Sequence, residues 1–402
     1  MDFNRASTAV SGFNKWVGWW LLLVVFISGF FFRFAPSTLS LSMQQELNLS
    51  ATALGLVASM HFWIYTFMQV PSGALADKFG TRNSALLGGG VTTAGALCFG
   101  LASNLPWLLA GTALMGLGLA AIFVALMRYN TQWFSRHTLV LSATMLFAAL
   151  GSVIAQSPTA QLLIWFSWRE IVLFFTVLIL IASLLMVRFL TAGPPAQQRV
   201  AQGDNWAVLK NKQIWLLFVC VAATNGTLYA FLGLWAIPLI VDGFQVSATL
   251  AAQYSTTALI VYGLGSLLWG WVGERVGAHK PVILATAVLA AVTWAVLTYS
   301  NWSLGWPGMA LFLLLGLSGG PVGVIFAAAK DAAPPQNVGF AIALVNMGAF
   351  LIAAIVQTGM GVILDVTSPT PQLGDYQLAL QLPFFVSVLG VAAALMLPGR
   401  SS

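Results

Sequence analysis

Arg33 stands inside an apolar run that extends from Trp16 to about Leu41. A guanidinium stays protonated at any physiological pH and carries a planar fork of donors matched to carboxylate or phosphate, so its chemistry in such a run is anion binding or pairing with backbone carbonyls. A second set of polar side chains, His61, Tyr65, Gln69 and Ser72, is spaced four, four and three residues apart along the next run. That spacing places them on one face of a helix, where they either line a watery cavity or act as glue between helices. The imidazole of His61 could also carry a proton. Gln156, Asn225, Tyr229, Gln253, Asn346 and Gln357 are further polar residues within apolar runs. Of these we take Gln156, Asn225, Tyr229 and Asn346 as candidate substrate contacts beside Arg33, His61, Tyr65 and Gln69. Arg128 lies near the end of its run, where its side chain can snorkel.

The ten acids fall elsewhere. Asp2, Asp77, Asp204, Glu274 and Asp331 lie at one set of loops, and Glu46, Glu170, Asp242, Asp365 and Asp375 at the other. With no mid-span carboxylate, Arg33 has no obvious full countercharge in the chain. An enzyme is not expected: the three histidines form no metal-ligand cluster or nucleophile–base pairing, and no GxxxxGK[ST] loop is present. Cys98 and Cys220 both sit in apolar runs and read as small hydrophobes, so no disulfide, metal, redox chemistry or cofactor is expected.

The elements that position these residues follow from composition. Charged residues make up 6% of the chain and hydrophobic ones 59%, which demands lipid as solvent. Runs near 17–42, 51–76, 84–103, 105–131, 138–162, 169–190, 213–241, 249–272, 281–299, 305–330, 338–363 and 378–397 are each near the length needed to cross a bilayer as a helix. The fold class is therefore an all-α membrane protein of twelve transmembrane helices. The first run lacks a small-residue cleavage site and is expected to be a retained span rather than a signal peptide. Residues 1–190 and 213–402 would form two six-helix bundles, and the polar stretch 191–212, with Pro194 and Pro195, the linker between them.

Basic residues set the orientation. Arg5, Lys15, Lys78, Arg82, Arg128, Arg136, Arg188, Arg199, Lys210, Lys212, Arg275, Lys280, Lys330 and Arg400 fall on the side of both termini and the linker, and Arg169 alone falls in the opposite loops. The positive-inside rule makes that first side cytoplasmic.

The halves also repeat. Residues 73–83 read GALADKFGTRN and residues 270–280 read GWVGERVGAHK, pairing Gly73 with Gly270, Asp77 with Glu274, Lys78 with Arg275 and Gly80 with Gly277. Both copies follow the second run of their half. Gly73 allows close helix approach, Gly80 a tight turn, and Asp77 can face the positive end of the helix beginning near Val338. Arg82 and Arg136 would hold that carboxylate.

The segment from Gly73 to Arg82 resembles the loop between helices two and three of the major facilitator superfamily, and Trp168-Arg169 is similar to the boundary before helix six in many members. The resemblance implies two pseudo-symmetric bundles working by alternating access, with Gly73, Asp77, Lys78, Gly80, Arg82, Gly270, Glu274, Arg275 and Gly277 as gating residues. Arg33 and Pro36, then Gly55, Ser59, Tyr65, Gln69, Pro71 and Gly73, resemble the anion:cation symporter branch and related organic-anion carriers. Phe32 stands where that branch commonly has an acid. The function implied is secondary active or facilitative transport of a small organic anion across a cell inner membrane by a carrier functional as a monomer, with a proton or other ion as partner where the movement is coupled. Efflux of drugs or a siderophore is the alternative, and a non-transporting receptor a remote one. The mid-span acid of the family's drug/proton antiporters is missing, and Thr112 stands where they carry an arginine in helix four. Reporter fusions at Gly203 and at the C-terminus should both read as cytoplasmic; a translocated Gly203 would reverse the orientation.

Overall fold

The structure is a computed structural model that describes residues 3–134, 137–190 and 205–399. Side chains are described outside residues 1–14, 69–70, 73–75, 77, 135–139, 142, 191–204 and 400–402. It is built of helices throughout. We number the membrane-crossing helices α1 (Phe3–Leu47), α2 (51–79), α3 (81–100), α4 (Leu105–Trp133), α5 (His137–Ile154, continued by Ser157–Leu162) and α6 (Trp168–Phe189). The second half supplies α7 (Lys212–Phe244), α8 (Ala248–Val276), α9 (His279–Tyr299), α10 (Trp306–Ala332), α11 (Val338–Thr367) and α12 (Leu373–Met396). Ten stretches meet the length and hydropathy needed to cross a membrane, among the described residues; α3 and the broken α5 complete the twelve. A short helix, Asn205–Lys210, precedes α7, and most of the expected linker lies outside the described residues.

Helix starts are written in the sequence. Ser50, Asn104, Ser167 and Ser247 each accept a backbone N–H in the first turn of α2, α4, α6 and α8, and Glu170 completes a capping box at α6. Gly80 has φ 75° and separates α2 from α3, while Gly277 has φ 61° and ends α8. Both glycines of the repeat therefore occupy backbone conformations that disfavour side chains.

Helix α1 runs to Leu47, past its expected end near residue 42. The polar Glu46 belongs to the helix because the Trp168 indole donates to it at 2.5 Å and the Arg169 guanidinium at 2.8 Å. The second half repeats this lock: the Tyr376 hydroxyl at the start of α12 donates to Asp242 at the end of α7, at 2.6 Å. At the opposite ends, Arg82 donates to the last carbonyls of α6, Val187 and Leu190, both at 2.8 Å. Lys280 donates to Leu395 and Leu397 at the end of α12, at 2.8 and 2.6 Å. Arg82 thus ties α3 to the end of α6, where a cation satisfies orphan carbonyls and offsets the dipole; the Asp77 side chain it was expected to hold lies outside the described residues.

Candidate functional site

Arg33 lies deep in α1 and is 6% exposed, the one ionised side chain among the buried described residues. Its guanidinium carbon sits 4.7 Å from the ring centroid of Phe30, 5.9 Å from Phe62, 5.0 Å from Tyr65 and 5.2 Å from Phe350. Three of those rings come from the first half and Phe350 comes from α11. Cation–π attraction of about 0.5–2 kcal/mol per ring offsets part of a desolvation cost of several kcal/mol, but ring faces do not replace oxygen acceptors. The buried Nε of Arg33 makes no hydrogen bond to any described residue.

His61, one turn before Tyr65 on α2, stacks on it at 6.3 Å with ring planes 10° apart. It is 2% exposed, and neither ring nitrogen has a hydrogen-bond partner among the described residues. Arg33 and His61 therefore share Tyr65 as a neighbour, and each keeps unspent donor capacity.

The second half faces this cluster with tyrosines. The Tyr229 ring lies 5.9 Å from Phe34, 6.5 Å from Phe62 and 6.2 Å from Phe350. Its hydroxyl is 2.8 Å from that of Tyr262 on α8. Two π-turns, Ala222–Gly226 and Phe231–Trp235, bracket Tyr229 in α7. Such turns rotate the helix face locally and recur at functional sites.

Other expected contacts are placed as follows. Gln156 Nε2 donates to Phe34 O and Leu232 O, both at 3.2 Å, beside Arg33 and between the halves. Asn225 donates to Gly319 O at 3.0 Å, so its amide joins α7 to α10. Asn346 is half-buried one turn before Phe350 on α11. The side chains of Gln69, Asp77 and Arg136 lie outside the described residues, and of Gly73 only the helical backbone is described. Lys78 lies over Phe79 and Arg275 over Trp271, while Glu274 and Gly270 sit on the last turns of α8. Tyr262, Phe62, Phe30 and Phe350 were not singled out by sequence. Aromatic residues are common in these spans, and only the fold brings the three phenylalanines to Arg33 and Tyr262 to Tyr229.

Among the described residues, hydrogen bonds join the halves on one side. We call the end bearing Ser50 the outer end, after the charge asymmetry. Asp365, at the outer end of α11, accepts from the backbone N–H groups of Ala51 and Thr52, both at 2.8 Å, and so caps α2 across the two halves. Deeper, Thr358 donates to Ser59 at 2.9 Å, and Ser157 N donates to Thr256 at 3.0 Å. A Cβ on Gly55 would stand 2.7 Å from Gln357 O, and one on Gly361 2.5 Å from Ala51 O, so these glycines permit the approach of α2 and α11. Hydrogen bonds between described residues of the two halves all lie level with Arg33 or outside it.

A twelve-helix membrane bundle with a buried cation at the meeting of its halves defines the class of polytopic solute carriers. The family model described as Major Facilitator Superfamily matches residues 21–237 and 231–402. The chain belongs to that superfamily. A chloroplastic ascorbate transporter of Arabidopsis thaliana is 28% identical over 200 residues, covering 47% of this chain and 37% of that protein. A putative tartrate transporter of Agrobacterium vitis is 24% identical over 308 residues, covering 67% of this chain and 66% of that protein. The matched stretches thus span less than two thirds of those relatives. A bacterial homolog of the human lysosomal transporter Spinster, solved inward-facing and unoccupied, superposes with TM-score 0.76 over 95% of this chain and 96% of its own at 14% identity.

Replacing Asp365 by Ala removes both acceptors from the α2 N-terminus. Such cap and dipole interactions contribute about 0.3–1 kcal/mol at exposed ends, so the ratio of outer-open to outer-closed molecules should rise roughly two- to fivefold. Paired spin labels at Gln45 and Val366 would report this as a larger long-distance population. An unchanged distribution would reduce Asp365 to a local helix cap.

Proposed function

We propose that this protein is a secondary carrier that moves a small organic anion across a cell inner membrane by alternating access, with Arg33 as the anchor for the anion. The observation that carries the reading is a buried guanidinium with an unpartnered nitrogen, held where both halves meet and without a buried carboxylate among the described residues. The similar proteins named for ascorbate and tartrate, both organic anions, support the same substrate class.

An anion reaching Arg33 would displace ring faces from the guanidinium and supply the oxygen acceptors they lack. Tyr65 and His61 stand beside it to donate further bonds, with Gln69, Gln156, Tyr229, Asn225 and Asn346 completing the proposed set. With both termini and the linker cytoplasmic, the two bundles 1–190 and 213–402 would rock about this site, and one chain suffices. The contact of Asp365 with α2 closes the outer side. In the opposite state Asp77 would play the reciprocal part at the N-terminus of α11, which follows the turn Pro335–Asn337. The repeat glycines Gly80 and Gly277 would hold the inner turns in shape, with Lys78, Glu274 and Arg275 at the same mouth.

His61 is the proposed proton carrier. An imidazolium close to a guanidinium is repelled, and a carboxylate between them supplies the missing countercharge. Substrate and proton would therefore bind together. His61→Gln should keep substrate exchange yet lose accumulation driven by a proton gradient; full proton-driven accumulation in that variant would remove His61 from the mechanism.

The anchor itself is tested by affinity. A thermal-shift screen of the full-length protein against carboxylates, neutral metabolites and lipophilic cations identifies a ligand, since binding to the folded state raises Tm. Charge-assisted hydrogen bonds contribute about 1.5–3 kcal/mol, so Arg33→Gln should weaken a carboxylate by roughly ten- to over a hundredfold. Arg33→Lys should fall between, because it keeps the charge and loses the fork. Wild-type affinity in Arg33→Gln, or a best ligand that is cationic, would overturn the reading.

A further inference from the structure

The rings around Arg33 are not randomly disposed. Phe62, Tyr229 and Phe350 lie nearly parallel: Phe62 and Tyr229 are inclined by 7°, Phe62 and Phe350 by 23°, and Tyr229 and Phe350 by 24°. Their centroids are 6.5, 6.1 and 6.2 Å apart in the same order. Carbon surfaces touch at about 3.5 Å, so a flat ring sandwiched between two others needs about 7 Å between them. These centroid distances include sideways offset, so the gap between the plane of Phe62 and that of Tyr229 and Phe350 is narrower than any of them and too narrow for a ring in this state. Phe62 belongs to the first half, whereas Tyr229 and Phe350 belong to the second, so the slot widens to admit a ring as the halves move apart there.

The polar groups at the slot are few and of one kind. Arg33 is the single ionised side chain buried among the described residues, leaving a second carboxylate of a ligand without a partner cation. A polyhydroxylated body would press its hydroxyls on ring faces and lose hydrogen bonds to water. Arg33 Nε and both nitrogens of His61, each on a side chain more than nine-tenths buried, have no described partner and mark where a polar ligand group is called for.

Building on the anion reading above, we infer that the site selects a planar aromatic monocarboxylate: the carboxylate on Arg33, with His61 beside it, and the ring in the slot between Phe62 and the pair Tyr229 and Phe350. The phenol pair of Tyr229 and Tyr262 then lies on the second half's side of the ring. It would recognise a ring hydroxyl where one is present, and it is not required for a plain ring.

The test compares probes of equal charge and different shape on the full-length protein by titration calorimetry. Benzoate should bind at least tenfold more tightly than cyclohexanecarboxylate, which has the same carbon count and a puckered ring. Benzoate should also exceed tartrate, galactonate and phthalate. Phe62→Leu and Tyr229→Leu should each bring benzoate and cyclohexanecarboxylate to within about threefold of one another, while Arg33→Gln weakens both. Two variants in different halves guard against one failing to fold, and the wild-type ranking needs neither. Tartrate or galactonate binding as tightly as benzoate, with loss in Arg33→Gln, would overturn the aromatic assignment and leave the anion reading standing. Equal affinity for benzoate and cyclohexanecarboxylate would overturn it likewise. Failure of every carboxylate to bind, or binding indifferent to Arg33→Gln, would remove both.

Discussion

A permanent positive charge buried between two halves of a helical bundle constrains everything around it. Arg33 cannot shed its proton to escape the desolvation cost of several kcal/mol, so its surroundings must offset that cost. The protein uses four aromatic rings, which attract the cation without neutralising it. A buried carboxylate would have stabilised the arginine more strongly, and would also have filled the position an anion needs. The cage keeps the charge tolerable and leaves the Arg33 Nε without a partner among the described residues.

The surrounding helices must then hold this arrangement without being stiff at the wrong places. Within each half, the first and last helices are locked at the outer end by an acid and an aromatic or basic donor, Glu46 with Trp168 and Arg169, and Asp242 with Tyr376. At the other end, Arg82 and Lys280 tie the third helix of each half to the end of its sixth. These bonds stay within a half, so movement of one half against the other breaks none of them. Among the described residues, bonds across the halves are few and end in small groups: a carboxylate on backbone amides, one hydroxyl on another, a backbone amide on a hydroxyl, a glutamine on a carbonyl. Such contacts have the modest strength that the proposed alternating access asks of this interface.

Much of this was legible in the sequence because lipid imposes strong rules. Apolar length gave twelve spans, and the repeated loop gave the positions of Gly80 and Gly277, whose left-handed backbone fits the expected tight turn. Arg33, His61 and Tyr65 stood out as polar groups where lipid tolerates few, and the fold brings them together. The rest was hidden for specific reasons. Phe30, Phe62 and Phe350 are indistinguishable in sequence from rings that face lipid or core, and their relation to Arg33 depends on helix rotation. The hold of Arg82 on the last carbonyls of α6 joins residues more than a hundred positions apart, which no local spacing reveals. Asp365 looked like an ordinary loop acid; its part as a cap on α2 joins residues over three hundred positions apart.

The site and the outer closure are carried by the same two helices. On α2 the outer contacts at Ala51, Gly55 and Ser59 lead directly, on one face, to Phe62 and Tyr65 at the cage. On α11 those at Gly361, Thr358 and Gln357 lead to Phe350. A helix transmits displacement along its length because its backbone bonds hold each turn to the next. Any ligand that pushes Phe62 and Phe350 apart therefore acts on the line of contacts that ends at Asp365. A ligand that draws them together closes the same line. In this way occupancy of the site between the halves can bias an interface of small contacts at the far end of the same helices, with no separate relay required.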